Sequence, residues 1–168
     1  MFTEVKPDSG RLSIKNDDQA VVILLIDDDP DCRTLICDAI AECKVSNTVV
    51  EVANGKEAMD YLHRRGRWKE AKRPGLIYLD IEMPEMDGQA VLKQIKADPK
   101  LREIPVVMMT GVSDEEEMQR AMLNGANSYT LKPANAEQFL RTVLMSTNYW
   151  LNIHQYPQHH LPQEQCLR

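Results

Sequence analysis

The sequence predicts an α/β fold in which a parallel sheet is covered by helices on both faces. Strand-like and helix-like segments alternate five times along the 168 residues, and this alternation is typical of doubly wound sheets. Most of the strand-like segments are short, nearly continuous apolar runs, which is the pattern of strands buried on both faces. A hydrophobic content of 43% is enough to build the two cores that such a sheet requires.

The first two strand–helix pairs are marked by β-rich runs followed by helix-capping residues. Val21–Ile26 predicts the first strand, and Asp29-Pro30 then supplies an N-cap carboxylate and a first-turn proline for a helix. Thr48–Ala53 predicts the second strand, and Asn54-Gly55 begins a helix that runs to about Arg65. The apolar face of the first helix is formed by Cys32, Leu35, Ile36, Ala39, Ile40 and Cys43.

A basic loop, Arg64–Arg73, precedes three further strands. The predicted strands cover Leu76–Leu79, Val106–Met109 and Asn127–Leu131, each bounded by proline, glycine or polar residues. The loop carries six basic residues together with Trp68. Because the whole chain has a net charge of −6, we expect a solvated loop or a docking surface for a partner protein there rather than a nucleic-acid patch.

Three helices alternate with these strands and are predicted from capping residues and apolar spacing. Gln89–Ala97 forms one helix, Ser113 with Glu116 predicts a capping box for the next, and Asn135 caps the last. Each has one apolar face at helical spacing. These faces consist of Val91, Leu92 and Ile95, of Met118, Ala121 and Met122, and of Phe139, Leu140, Val143 and Leu144.

The predicted domain covers residues 19–147, with an N-terminal tail at 1–18 and a C-terminal tail at 148–168. Neither a signal peptide nor a membrane contact is expected, because residues 1–18 lack an apolar core and the longest apolar run, Ala20–Ile26, is too short to cross a bilayer. The acidic balance argues against sequence-independent nucleic-acid binding. The four cysteines lack metal-ligand spacing, which favours a reducing cytoplasm.

Polar residues follow four of the five predicted strands at the point where each strand ends. Asp27 and Asp28 follow the first strand, Asp80 the third, Thr110 the fourth and Lys132 the fifth. In an open parallel sheet, ligands bind beyond the carboxyl ends of the strands, where the strand order reverses. If the order is 2-1-3-4-5, the acidic residues of the first and third strands face each other at that position.

These residue types predict a phosphoryl-acceptor site. Three neighbouring carboxylates repel one another, and Mg²⁺, which prefers hard oxygen ligands, relieves the repulsion. Lys132 adds a positive charge for a phosphoryl oxygen and Thr110 adds a hydroxyl donor, which leaves Asp80 as the central nucleophile. Each residue alone is more often a cap or a turn residue, so the prediction depends on their joint placement.

Four segments resemble the receiver domain of bacterial two-component response regulators. They are Leu25–Pro30, Leu79–Gly88, Met109–Gly111 and Leu131–Pro133, in the family's order and spacing across roughly residues 20–147. The resemblance implies a flavodoxin-like (βα)₅ fold with strand order 2-1-3-4-5. The basic insertion and the C-terminal segment are similar to those of single-domain regulators paired with phytochrome-like histidine kinases.

The resemblance also implies a role for each acidic residue. Asp80 is expected to accept a phosphoryl group from a histidine kinase. Asp28 and Asp80 are expected to bind Mg²⁺ directly, with the main-chain carbonyl of Glu82 as a third ligand and with Asp27 acting mainly through water. The protein would then be a signalling phosphoacceptor whose only intrinsic chemistry is self-phosphorylation and self-dephosphorylation.

A second set of residues matches the family's phosphoryl clamp and switch. Lys132 is expected to bind the phosphoryl group, beside a cis peptide to Pro133. Thr110 and Tyr129 match the switch pair, in which the hydroxyl turns toward phosphate and the ring rotates inward. The resemblance therefore implies a change of protein contacts as the output.

Other functions remain open beside this phospho-switch. A phosphorelay intermediate would use the same residues but pass the phosphoryl group on to a histidine phosphotransfer protein. A pseudo-receiver would bind partners without phosphorylation, and the complete set of acidic, hydroxyl and lysine residues counts against it. An aspartyl phosphatase usually carries a second aspartate two residues after the nucleophile, where this chain has Glu82.

The C-terminal segment suggests a contact surface. Tyr149-Trp150-Leu151 with Ile153 is too apolar to lie free beside the surrounding glutamines and histidines. Because it follows the last helix, we expect it to pack near helix four, strand five and helix five and to contribute to a symmetric homodimer there. In the alternative, Trp150 folds back on its own domain and the chain is monomeric.

Overall fold

Residues 20–154 are described by a computed structural model, and they contain five strands and five α-helices in strict alternation. The strands are β1 (Val21–Ile26), β2 (Asn47–Val52), β3 (Leu76–Asp80), β4 (Val106–Thr110) and β5 (Ser128–Leu131). The helices are α1 (Pro30–Ala41), α2 (Gly55–Leu62), α3 (Gly88–Ala97), α4 (Glu115–Leu123) and α5 (Ala136–Asn148). A 3₁₀ turn at Gly66–Trp68 follows α2, and a π-helical turn at Tyr149–Ile153 follows α5.

All strand pairs are parallel, and the strand order is β2-β1-β3-β4-β5. The flavodoxin-like architecture is therefore confirmed. In the register of the central pair, Ile26 lies opposite Leu79, so the residues that follow them, Asp27 and Asp80, leave the sheet side by side. The strand order thus places the acidic residues of β1 and β3 at the switch point of the sheet.

Strand residues alternate between two cores, one on each face of the sheet. Ile77 and Leu79 face the core that α2, α3 and α4 cover, whereas Leu76 and Tyr78 face the core that α1 and α5 cover. All five residues of β3 are buried, which explains why its sequence is apolar on both faces. Complete burial of an aliphatic side chain contributes roughly 1.5–3 kcal/mol, so the central strands hold the site on a rigid frame.

Several helix ends differ from the sequence-based expectation. The helix α2 ends at Leu62 rather than near Arg65, because the chain turns there through Arg64 with a positive φ of 54°. The N-cap of α4 is Asp114, whose carboxylate accepts the Glu117 amide, so the predicted Ser113–Glu116 capping box was wrong by one residue. Of the predicted inward face of α4 only Ala121 is buried, while Met118 and Met122 are exposed.

The last helix continues into the C-terminal segment. Trp150, 6% exposed, packs into the core beneath α1 and α5, while Tyr149 and Ile153 are exposed. The expectation that Trp150 anchors a dimer was therefore wrong, because its indole is buried in its own domain. Residues 155–168, which include Cys166, lie outside the described residues. None of the helices between residues 20 and 154 is long and apolar enough to cross a membrane.

Candidate functional site

The acidic residues predicted from the sequence meet at the carboxyl ends of β1 and β3. Asp27 and Asp80 are buried, whereas Asp28 is exposed at the rim. Each offers a carboxylate oxygen, and these three oxygens lie within 4.8 Å of one another. This separation allows one cation to contact all three residues. The set consists only of hard oxygen donors, which suits Mg²⁺ or Mn²⁺.

Lys132 reaches this cluster from the end of β5. Its Nζ lies 2.7 Å from Asp27 Oδ2 and 2.8 Å from Asp80 Oδ1, so one ammonium bridges the two buried carboxylates. Burial alone would lower the pKa of Lys132, but hydrogen bonds and charge attraction from both carboxylates outweigh it and raise this pKa. Lys132 therefore remains charged at neutral pH.

The surroundings of Asp80 disfavour the ionised form of its carboxyl group. Burial raises its pKa from 3.8 to about 6; Lys132 lowers the pKa, and the charges of Asp27 and Asp28 raise it. Burial and neighbouring negative charge act in the same direction, because both penalise the ionised form. A divalent cation would oppose their combined effect by attracting the carboxylate, which ties the charge state of Asp80 to occupancy of the site.

Local backbone contacts hold the loop after β1 in place. The Asp27 carboxylate accepts the amide of Asp29 at 2.8 Å, and Asp29 in turn caps α1 by accepting the amide of Asp31. Arg33, one turn into α1, donates from Nη1 to the main-chain carbonyl of Asp27 at 2.7 Å. Strand β1, its acidic end and helix α1 are therefore one connected unit.

The loop after β3 is closed by a glycine. Gly88 donates its amide to Ile81 O at 2.9 Å, and a Cβ at this position would lie 2.2 Å from Asp80 O. Any larger residue would push the loop away from the acidic cluster. Glu82, whose main-chain carbonyl is the expected third ligand, is an exposed residue of this loop. The next helix, α3, begins directly at Gly88, with Asp87 as its N-cap.

Thr110 and Tyr129 lie on the neighbouring strands β4 and β5. Thr110 is buried, and its hydroxyl accepts the Val112 amide at 3.1 Å. The Tyr129 hydroxyl is buried without a hydrogen-bond partner among the residues from 20 to 154. Burial raises the pKa of Tyr129. The nearby Thr110 hydroxyl lowers this pKa, although the geometry between the two hydroxyls is not that of a hydrogen bond. A buried hydroxyl without a hydrogen-bond partner costs free energy, so a movement that gives the Tyr129 hydroxyl a partner is favoured.

The structure thus brings the three predicted aspartates and Lys132 together. It also shows three residues that sequence reasoning missed. Arg33 fixes the end of β1, Gly88 permits the close approach to Asp80, and Cys32 is buried beside Asp27. A basic residue four positions after the N-cap Asp29 was the available signal for Arg33. The peptide from Lys132 to Pro133 is trans, so the expected cis peptide was wrong.

A family model provides independent evidence for this assignment. Residues 23–144 match the response regulator receiver domain. This range contains all seven residues predicted to form the site, from Asp27 at the end of β1 to Lys132 at the end of β5.

Individual relatives and solved structures agree. Response regulator Rcp1 of Synechocystis is 30% identical over 130 residues, covering 77% of this chain and 88% of Rcp1. The probable methanogenesis regulatory protein FilR2 of Methanothrix harundinacea is 36% identical, covering 81% of this chain and 87% of FilR2. The phosphorylated cyanobacterial phytochrome response regulator RcpA matches with a TM-score of 0.80 and 36% identity, covering 83% of this chain and 100% of RcpA.

A further solved structure concerns the metal. The Mn²⁺-bound form of Rcp1 matches with a TM-score of 0.78 and 29% identity, covering 82% of this chain and 99% of that one. From the strand order, the acidic cluster and the family match together, the chain belongs to the response regulator receiver domain family, which comprises signalling phosphoacceptors of two-component systems.

Proposed function

We propose that this protein is a phospho-switch whose Asp80 accepts a phosphoryl group from a sensor histidine kinase. The observation that carries the proposal is the bridge from Lys132 to Asp27 and Asp80 beside the third carboxylate, Asp28. Lys132 thus contacts two of the three carboxylates, and all three carboxylates offer oxygens within 4.8 Å of one another, as phosphoryl transfer with a metal ion would need. The similarity to phytochrome response regulators supports a phytochrome-like kinase as the partner, which implies a cytoplasmic location, where ATP is available.

The residues divide the chemistry between them. An Oδ of Asp80 attacks phosphorus, a P–O bond forms, and the P–N bond to the kinase histidine breaks, with the imidazole taking the bonding electrons. Lys132 is 2.8 Å from Asp80 Oδ1 and binds the incoming phosphoryl oxygens as a fixed positive charge. Asp28, Asp80 and the Glu82 carbonyl would hold Mg²⁺, with Asp27 acting through water. When bound, this ion neutralises the negative charge that accumulates during transfer.

The output follows from Thr110 and Tyr129. A phosphoryl oxygen on Asp80 attracts the Thr110 hydroxyl through a charge-assisted hydrogen bond, at the expense of its bond from Val112. The movement changes the space around Tyr129, whose hydroxyl is unsatisfied. The surface of α4, β5 and α5 therefore shifts between two states whose free energies differ by a few kcal/mol. Phosphorylation is read there by altered protein contacts, including those of a homodimer.

The central test is phosphorylation of Asp80. Incubation with Mg²⁺ and a small phosphodonor should give one base-labile phosphoryl group per chain by intact-mass measurement. Asp80→Asn should abolish it, because an amide is a far weaker nucleophile toward phosphorus. The exposed α1 residue Asp38 provides a matched control, and Asp38→Asn should be phosphorylated like the wild type. Phosphorylation at a normal rate in Asp80→Asn would rule out the assignment.

A second test separates accepting the phosphoryl group from responding to it. Thr110→Ala removes the hydroxyl but neither the acidic cluster nor Lys132. We expect this variant to be phosphorylated while losing the phosphorylation-dependent change in Tyr129 fluorescence or in its NMR ring signals. Thr34→Ala, on the exposed side of α1, is the matched control. A wild-type response in Thr110→Ala would remove Thr110 from the switch.

A further inference from the structure

A basic surface lies at the opposite end of the sheet from the acidic cluster. It is formed by the α2–β3 loop (residues 63–75). This loop contains six lysines and arginines and one acidic residue, although the whole chain has a net charge of −6. The acidic cluster follows the last residues of β1 and β3, whereas this loop leads into the first residue of β3. The length of the sheet separates the two surfaces.

Three cavities meet at one lysine of this loop. A cavity of about 350 Å³ and one of about 480 Å³ are both lined by Arg64, Lys72 and Arg73. A third, of about 380 Å³, is lined by Lys72 together with the rings of Tyr61 and Trp68. Two basic depressions and one more apolar depression, which contains two aromatic rings, therefore adjoin each other around Lys72.

The loop is held in shape by its own side chains. The Tyr61 hydroxyl donates to Lys72 O at 2.8 Å, and the Tyr61 and Trp68 rings meet edge to face at 5.0 Å. Arg67 lies over the Trp68 ring at 4.5 Å and pairs with Glu57 on α2. These contacts show a preformed surface rather than a freely solvated loop.

Most of the cations that line the cavities have no acidic partner. Within residues 20–154, neither Arg64 nor Lys72 nor Lys100 forms an ion pair with an acidic side chain. Asp98 lies in the smaller basic cavity, where it contacts His63 at 3.8 Å and accepts the Lys100 amide at 2.7 Å, and Glu70 lines the third cavity. The excess of positive charge favours an anionic occupant.

We propose that this surface docks an acidic peptide segment of a partner protein. Carboxylates of the segment bind Arg64 and Lys72, and a large apolar side chain enters the cavity of Tyr61 and Trp68. A compact anion would fill one basic cavity and leave the aromatic one unused, whereas an extended peptide fills both. Nucleic acid fits less well, because Arg67 covers one face of the Trp68 ring and the rest of the chain is strongly acidic.

Docking at this position would leave the phosphorylation site accessible. A partner bound to the α2–β3 loop is held at one end of the sheet, while Asp80 lies at the other end beside the exposed Asp28. Such a tether raises the effective concentration of the partner without competing for the acidic cluster. Binding should therefore persist in Asp80→Asn, which makes the inference separable from the proposed phosphoacceptor role.

Fluorescence anisotropy on the full chain tests this inference. The probe is a labelled peptide of about eight residues in which two leucines are flanked by aspartates and glutamates. We expect saturable, salt-sensitive binding that Lys72→Glu weakens at least about five-fold. Lys93→Glu, an equal charge change on exposed α3, should leave the affinity within about two-fold. Replacing both leucines of the peptide by serine should weaken binding, because the aromatic cavity is then unfilled.

Each remaining outcome overturns the inference. Absence of binding at millimolar peptide, or equal loss in Lys72→Glu and Lys93→Glu, excludes a defined site. Tighter saturable binding of inorganic polyphosphate or of single-stranded DNA than of the peptide assigns the surface to another ligand. Peptide binding that appears only after removal of residues 1–19, which directly precede Ala20 at the cavity wall, identifies the occupant as the chain's own N-terminal segment.

Discussion

Lys132 contributes the single ammonium that offsets the buried charge of the site. Asp27 receives this ammonium and the Asp29 amide, whereas Asp80 receives the ammonium alone from the contacts within residues 20–154. The residue proposed as the nucleophile is therefore one whose ionised form is disfavoured by its surroundings, with a pKa of about 6. Strain of this kind at a reactive group is common in functional sites and is relieved by the ligand.

This imbalance predicts a pH-dependent stability of the metal-free protein. The folded pKa of Asp80 lies above the unfolded value of about 3.9. Between about pH 4 and pH 6 the folded state therefore binds more protons, and its free energy of unfolding falls as the pH rises. The stability that the protonated Asp80 carboxyl contributes is fully lost above its pKa in the folded state. Asp80→Asn removes the ionisable group, so at pH 7.5 its free energy of unfolding should exceed that of the wild type by about 3 kcal/mol.

Urea unfolding in EDTA at about pH 4.5, 5.5 and 7.5 measures the effect. The difference in free energy of unfolding between Asp80→Asn and wild type should widen across this series. The control is Asp38→Asn, which lies on the exposed side of α1 and should give a constant difference. Parallel pH profiles of wild type and Asp80→Asn would contradict the assigned charge state of Asp80.

Among the secondary-structure elements, α5 shows where sequence reasoning succeeds and where it fails. The Asn135 cap and the inward residues Phe139 and Val143 were predicted correctly, because capping and helical spacing are local properties. The position of the Trp150 side chain was not predicted correctly, because burial in the chain's own core and burial against a partner leave the same apolar pattern in the sequence. The π-helical turn decides between them, since it rotates Trp150 toward the domain.

The α4 cap and Arg33 illustrate the same limit. Ser113 and Asp114 are both good N-caps, and the choice depended on which side chain meets the Glu117 amide in three dimensions. The acidic cluster, in contrast, was predictable because it follows from strand order alone. The contact of Arg33 with Asp27 O was not predictable from the sequence, because it depends on the rotation of α1 against the sheet.

Burial of Trp150 predicts that the C-terminal turn stabilises the domain. Trp150→Ala should lower the free energy of unfolding by roughly 3 kcal/mol, because it leaves a cavity between α1, α5 and the sheet. Tyr149→Ala is the neighbouring control and should cost under about 1 kcal/mol, since Tyr149 is exposed. Thermal or urea unfolding measures both. Equal losses in the two variants would show that the Trp150 ring does not pack in the core.

On the scale of the whole molecule, the described domain has three surfaces with separate chemistry. The acidic cluster lies at the carboxyl ends of the strands, the basic α2–β3 loop lies at their other end, and the α4–β5–α5 face lies at the β5 edge of the sheet. This last face carries exposed apolar side chains and a cavity of about 520 Å³ beside Tyr129. It is the surface that the Thr110–Tyr129 movement would alter.

Exposed Leu131 on β5 and Met118 on α4 lead to the last prediction, a homodimer across the α4–β5–α5 face. A two-fold axis there would bury the same apolar patch from both chains and place the Tyr129 pocket at the interface. If phosphorylation reshapes this face as proposed, the dimer should be tighter after phosphorylation. Leu131→Glu should make the protein monomeric, since it puts like charges on both sides of the axis. Ile153→Glu, an equivalent change beyond α5, should leave the dimer intact, because the expected interface does not include the C-terminal turn.

Sedimentation equilibrium at tens of micromolar measures the oligomeric state of the wild type and of both variants, with and without phosphodonor. A wild-type monomer under both conditions excludes the dimer, and a dimer that survives Leu131→Glu places the interface on another face.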